Sequence, residues 1–232
     1  MFRLNSGREV LAHCPDDYCR LQIEDLATGE VLTRSAADKP ADFFHSRLAV
    51  SADGRYLVSA GWVWHPMDVV QVYSVEAALK DPCHLDGAGI GIKAWAEESS
   101  ATFLPDGRLA IALYGIDPDE DEDEDAGDGA AEMRLFDLQQ PQEPAVVCMT
   151  GRLGTIVAVD NNHVLALYGH PRLIDLRLGS VVQSWPHIAS GDRTSSIFSS
   201  SSSTSTMALD SSRKRYAFAD DAGITVLQLN DG

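Results

Sequence analysis

Five times along its 232 residues the chain runs through strand, tight turn, strand and a third strand, and that periodicity limits the possible folds more than any other feature. The clearest copy spans residues 48–61, with an Asp53-Gly54 turn between two apolar runs, followed by a third apolar run at 69–75. The same order returns around Asp106-Gly107, Asp160-Asn161 and Asp210, and the chain start fits it with Ser6-Gly7. The turn residues Ser6, Asp53, Asp106, Asp160 and Asp210 stand 47, 53, 54 and 50 residues apart. Repeats of about 1–47, 48–99, 100–153, 154–204 and 205–232 therefore tile one domain, with an insert at 117–129 in the third.

Apolar residues lie on both faces of each small sheet, so no sheet can be stable alone. Each must stack between neighbours, and a radial stack leaves only short edges exposed. The fold expected is an all-β, five-bladed β-propeller. Only three residues follow Leu229 and only Met1 to Leu4 precede the first turn, so the last blade is expected to hold three strands unless a partner or a second copy completes it.

The segment from Ile23 to Leu32, with Asp25 near its start, reads as a hairpin from a third strand to a fourth, and residues 176–182 repeat it. With Asp137 and Asp175 in the same place as Asp25, these hairpins resemble those of WD40 repeat proteins. The Trp that precedes this Asp in that family is Glu24, Phe136 and Ile174 here, and its Gly-His pair is missing from the repeat starts. The likeness covers essentially the whole chain. It implies a WD40-like propeller, a class of binding platforms, and names no particular activity.

The chain carries 35 acidic and 18 basic side chains, a formal charge of -17. That balance argues against nucleic acid, whose recognition needs clustered Lys and Arg, and against anionic membranes. It favours a basic protein partner. Nine of the acids fall between Asp117 and Asp128, in the insert, where like charges resist folding. Asp121, Asp123, Asp125 and Glu132 match positions 1, 3, 5 and 12 of an EF-hand-type loop, but Ala126 replaces the turn Gly and Asp128 an apolar residue, so no metal or cofactor is expected. Cys14, Cys19, Cys83 and Cys148 form no metal-type spacing and read as reduced thiols. No apolar run approaches the ~20 residues of a membrane span, and no leader-like run follows Met1. The expected setting is the cytoplasm of a bacterium.

In a propeller, the loops joining second to third strands and those joining one blade to the next share a face. The unusual residues fall there. Trp62 and Trp64 share a side if their segment is extended, and Trp is enriched at interface hot spots. His65 and His170 occupy equivalent places beside Pro66 and Pro171. Arg47, Glu97, Glu98 and Arg172 add charge. These eight residues are the candidate partner-binding set. The expected function is non-catalytic protein binding, in the manner of an immunity protein that neutralises a basic toxin domain. A glycan- or small-ligand-binding lectin, with Trp62 and Trp64 as stacking plates, is the alternative. A propeller glycosidase using Glu97, Glu98, Asp68 and Asp42 ranks lower, because no catalytic motif occurs and the spacing fixes no carboxylate separation. The chain is expected not to be an enzyme.

Overall fold

The computed structural model describes residues 1–34, 40–64, 67–92, 94–115, 131–192 and 206–229. It is a five-bladed β-propeller of small antiparallel sheets, each built from consecutive strands. The first sheet holds β1 (Phe2–Arg3), β2 (Glu9–His13) and β3 (Gln22–Asp25). Its fourth strand is reduced to a bridge between Glu24 and Val31. The second holds β4 (Leu48–Val50), β5 (Tyr56–Val63), β6 (Met67–Ser74) and β7 (Trp95–Ala96). The third holds β8 (Glu98–Phe103), β9 (Leu109–Tyr114), β10 (Ala131–Phe136) and β11 (Ala145–Met149). The fourth holds β12 (Ile156–Ala158), β13 (His163–Ala166), β14 (Arg172–Asp175) and β15 (Ser180–Ser184). Among the described residues the fifth sheet has three strands, as expected: β16 (Thr206–Asp210), β17 (Arg215–Asp220) and β18 (Gly223–Gln228).

Period-two alternation explains why the sheets stack. Leu57 packs with Val10 and Ile23 of the first sheet, and its neighbour Val58 packs with Ile111 of the third. One sheet on, Ile111 faces the second sheet while Ala110 and Ala112 join Val164 and Ile174 of the fourth. Val164 looks back to the third sheet, and Leu165 forward to Tyr216 and Phe218 of the fifth. Four apolar clusters therefore join five sheets in chain order. Among the described residues no such cluster joins the fifth to the first.

Aspartates fix the turns. Asp53 accepts from the Ser51 hydroxyl and from the backbone and side chain of Arg55, which outweigh burial and lower its pKa to about 2. At the same end of the blades, in the hairpin after the third strand, Asp25 accepts from the N–H groups of Ala27 and Thr28 and pairs with Arg8 of the first turn at 2.7 Å. Asp175 does the same for Arg177 and Leu178, and the Arg177 guanidinium, the largest influence, helps hold its carboxyl at about 2. The WD40-like Asp residues thus act as Asx-turn anchors.

One departure from the repeat lies in the second blade. Between its third and fourth strands the chain forms α1 (Val75–Lys80), capped by the Ser74 hydroxyl accepting from the Ala77 N–H, and then a 3-10 turn (Pro82–Leu85). Val75, Ala78 and Leu85 pack into the first cluster, so this insertion covers the outer part of the junction between blades one and two.

Candidate partner-binding site

The shared face expected from the sequence is present. The loops between second and third strands bond to the loops between blades: His45 N–H to the Tyr18 carbonyl (2.9 Å), Glu97 N–H to the Gly115 carbonyl (3.4 Å), and Gly169 N–H to the Gly191 carbonyl (2.7 Å).

An aromatic cluster stands on this face at the far end of β5. Phe44 and Trp62 exchange backbone hydrogen bonds of 2.9 and 3.2 Å, and their rings stack with centroids 4.2 Å apart. Trp64 meets both at right angles, 5.1 Å from Trp62 and 5.7 Å from Phe44. Trp62 is half-buried within this stack, whereas Trp64 is 61 % exposed. Gly61 makes the arrangement possible, since a Cβ there would lie 2.1 Å from the Phe44 carbonyl oxygen and 2.7 Å from the buried ring of Phe43. Trp95 and Tyr18, outside the candidate set, are also exposed. The signal for them was available: each aromatic borders a loop of the shared face.

Arg47 lies beneath this cluster. Leu48 stands four positions after Phe44, while their partners Ser59 and Trp62 stand three positions apart, so β4 carries one extra residue at its entry. Arg47 absorbs that bulge in the left-handed region, with φ of 46°. Its guanidinium then reaches the Ala60 carbonyl (2.9 Å), the Ser99 carbonyl and the fully buried Asp68 carboxylate (3.1 Å). Asp68 also accepts from the Ser99 N–H at 3.0 Å. Arg47 therefore clamps the second blade to the third, and its charge is directed inward.

Glu98, expected in a loop, lies in β8 opposite Tyr114 and is buried. Its carboxylate sits 3.4 Å from Arg152, whose guanidinium lies over the rings of Tyr114 (4.8 Å) and Tyr168 (5.9 Å). The Tyr114 hydroxyl, first, and the Glu98 charge raise the Arg152 pKa further. Arg172, half-buried, donates to the Arg152 carbonyl. His170 is half-buried beside it, its N–H donating to the Tyr168 carbonyl at 2.8 Å. Glu97 and Asp42 are exposed. His65 lies outside the described residues, as does the acidic insert with Asp121, Asp123 and Asp125. Glu132 is on β10, ion-paired with Arg134.

The site residues therefore divide into two groups. Trp62 and Trp64 stand together in the aromatic cluster of blade two, and Glu97 is exposed on the connection to blade three. Glu98, Arg152 and Arg172 form a polar network across blades three and four, with the His170 backbone bonded to Tyr168 at its margin. Of the four carboxylates considered for acid–base roles, Asp68 and Glu98 face arginines, and Asp42 and Glu97 face solvent. No group of three or more metal-ligating side chains occurs among the described residues.

No family model and no curated protein sequence matches the chain. Solved structures do. Hydrazine synthase of Kuenenia stuttgartiensis aligns with TM-score 0.58 at 12% identity, covering 98% of this chain and 70% of that one. The β-propeller domain of Cps50 (Swd1) from Myceliophteria thermophila aligns with TM-score 0.52 at 7% identity, covering 91% of this chain and 64% of that one. The likeness establishes the fold as a β-propeller. It also corrects one expectation. A chain of the same fold bears the name of an enzyme, so the reading that this protein is not an enzyme is withdrawn. No helix among the described residues is long and apolar enough to cross a membrane.

Proposed function

We propose that the chain binds a basic protein partner through the face that carries Trp64, and neutralises it in the manner of an immunity protein. The observation that carries this reading is the exposed Trp64, held in place by Trp62 and Phe44. An indole whose orientation is set in advance loses little entropy on binding, and aromatic anchors of this kind dominate interface energies. The charge of -17 supplies the steering that brings a basic partner to the face. Glu97, exposed on the connection between blades two and three, suits the rim of such an interface.

The test is affinity capture of basic proteins at low and high salt, with wild type and Trp64→Ala compared at equal melting temperature. Retention of a basic protein by wild type, with loss at high salt and about 2 kcal/mol weaker binding by Trp64→Ala, supports the reading. Capture that is indifferent to Trp64→Ala rejects the site, and capture that is indifferent to salt rejects the basic partner. The same exposed indole face is the observation behind the glycan-binding alternative, which a glycan array with wild type and Trp64→Ala tests directly.

A further inference from the structure

The fifth sheet differs from the second, third and fourth in two ways. Among the described residues it has three strands where they have four, and it packs against a neighbour on one face only. Tyr216, Phe218, Met207, Leu209 and Leu227 fill that packed face. Among the described residues β18 is left as an edge.

Within the strand itself none of the usual protecting devices is present. It is six residues long, pairs with β17 without a bulge, and contains neither proline nor any charged residue. Its centre, Ile224-Thr225-Val226, is β-branched throughout, and Ile224 and Val226 are 78% and 55% exposed. An exposed, regular, apolar edge of this kind is a template for pairing with another chain.

Register indicates how the pairing would run. Asp220 and Gly223 oppose each other across a two-residue turn, so Gly223, Thr225 and Leu227 direct their backbone polar groups to β17. The N–H and C=O groups of Ile224, Val226 and Gln228 point outward. We propose that a second copy of this chain supplies a fourth strand to this sheet, β18 pairing with its own counterpart, antiparallel, about a two-fold axis at Thr225. Ile224 then faces the partner's Val226 as a hydrogen-bonded pair on each side of the axis. Thr225 faces its own equivalent in the closer, non-hydrogen-bonded geometry, with Cα atoms about 4.5 Å apart. Each copy completes the other's sheet, as an isologous interface requires.

The sequence favours a copy as the occupant over a basic partner. Ile and Val flank Thr225 almost symmetrically, so the strand is complementary to itself. It brings no carboxylate to the edge, so it offers a basic partner nothing. It is also a neutral stretch through which two chains of charge -17 can meet without opposing like charges.

Sedimentation equilibrium from low to high micromolar concentration, in 0.15 M salt, tests the proposal on the full chain. Wild type is expected to dimerise reversibly. Val226→Lys, at an exposed position that the fold does not need, is expected to weaken the dimer at least tenfold without changing the melting temperature. Thr225→Cys, in a Cys83→Ser, Cys148→Ser background, is expected to cross-link into a disulfide dimer under mild oxidation, since the two Cα atoms fall within bridging range. A monomer at all concentrations, a dimer indifferent to Val226→Lys, or no cross-link through Thr225→Cys overturns the proposal.

Discussion

Replacing Arg47 by Ala removes the clamp between blades two and three, and the structure allows the cost to be estimated. Arg47 holds a carboxylate with no solvent exposure and caps two backbone carbonyls, one in each blade. Breaking a buried ion pair from one side costs ~3–5 kcal/mol, because the remaining charge keeps its desolvation penalty. Against a typical folding stability of about 5–15 kcal/mol, a loss of about 4 kcal/mol removes a quarter or more of the total. Urea denaturation followed by tryptophan fluorescence measures it. Two companion variants separate the contributions. Arg47→Gly removes the same side chain but relieves the left-handed backbone at φ 46°, so it should be about 1 kcal/mol more stable than Arg47→Ala. The double variant Arg47→Ala, Asp68→Ala should cost at least ~1 kcal/mol less than the sum of the single ones, since the two groups are in contact. A loss below about 1 kcal/mol for Arg47→Ala, or strict additivity with Asp68→Ala, would show that the guanidinium is not what holds the junction.

Three further outcomes follow from the same geometry. Gly61→Ala should destabilise by about 2 kcal/mol or more in thermal denaturation, because its Cβ has no space between the Phe44 carbonyl and the Phe43 ring. Trp62→Ala should lower stability by ~2 kcal/mol through loss of the Phe44 stack, while Trp64→Ala should stay within about 0.5 kcal/mol of wild type. The pH profile should fall in two stages. Burial lowers the His45 pKa to about 4, so the unfolded chain takes up that proton first and stability declines as pH drops from about 6.5 towards 4, a decline that His45→Gln removes. Below about pH 4 the depressed carboxylates Asp53, Asp160, Asp175 and Asp210, each at about 2 in the folded state, lose their contribution as they protonate, and calorimetry should show the second fall.

The fold was legible because its turns depend on local chemistry. Asp53, Asp106 and Asp160 bond to backbone two residues on, and that requirement is written in adjacent residues, so the repeat shows through wide sequence drift. The alternation that sends Leu57 one way and Val58 the other is equally local. Long-range partners were not legible. Arg47 stood out as a surface charge because neither the bulge that redirects it nor the burial of Asp68, 21 residues away, can be read from spacing. Glu98, expected in an inter-blade loop, lies in an inner strand instead, because the Ser100 hydroxyl donates to the Gly154 carbonyl in the next blade and lets a polar run serve there. The stretch after Ser74 was read without its helix, although Ser74 and the Glu76–Lys80 pair carry a helix signature. The aromatic pair at Trp62 and Trp64 was found, but its division into a braced ring and an exposed one rests on Phe44, 18 residues earlier.

The run of four clusters between five sheets has a consequence for how the molecule opens. Cooperativity here is one-dimensional: a sheet with two neighbours opens only when both junctions loosen, whereas the fifth, held on one face by Tyr216 and Phe218, needs only one. Amide exchange should therefore be graded along the chain, with β9 and β10 protected to near the global unfolding free energy and β16 to β18 exchanging through a smaller, separate opening. A binding event that covers the edge of β18 would then act at a distance, raising protection across the fourth blade without touching it.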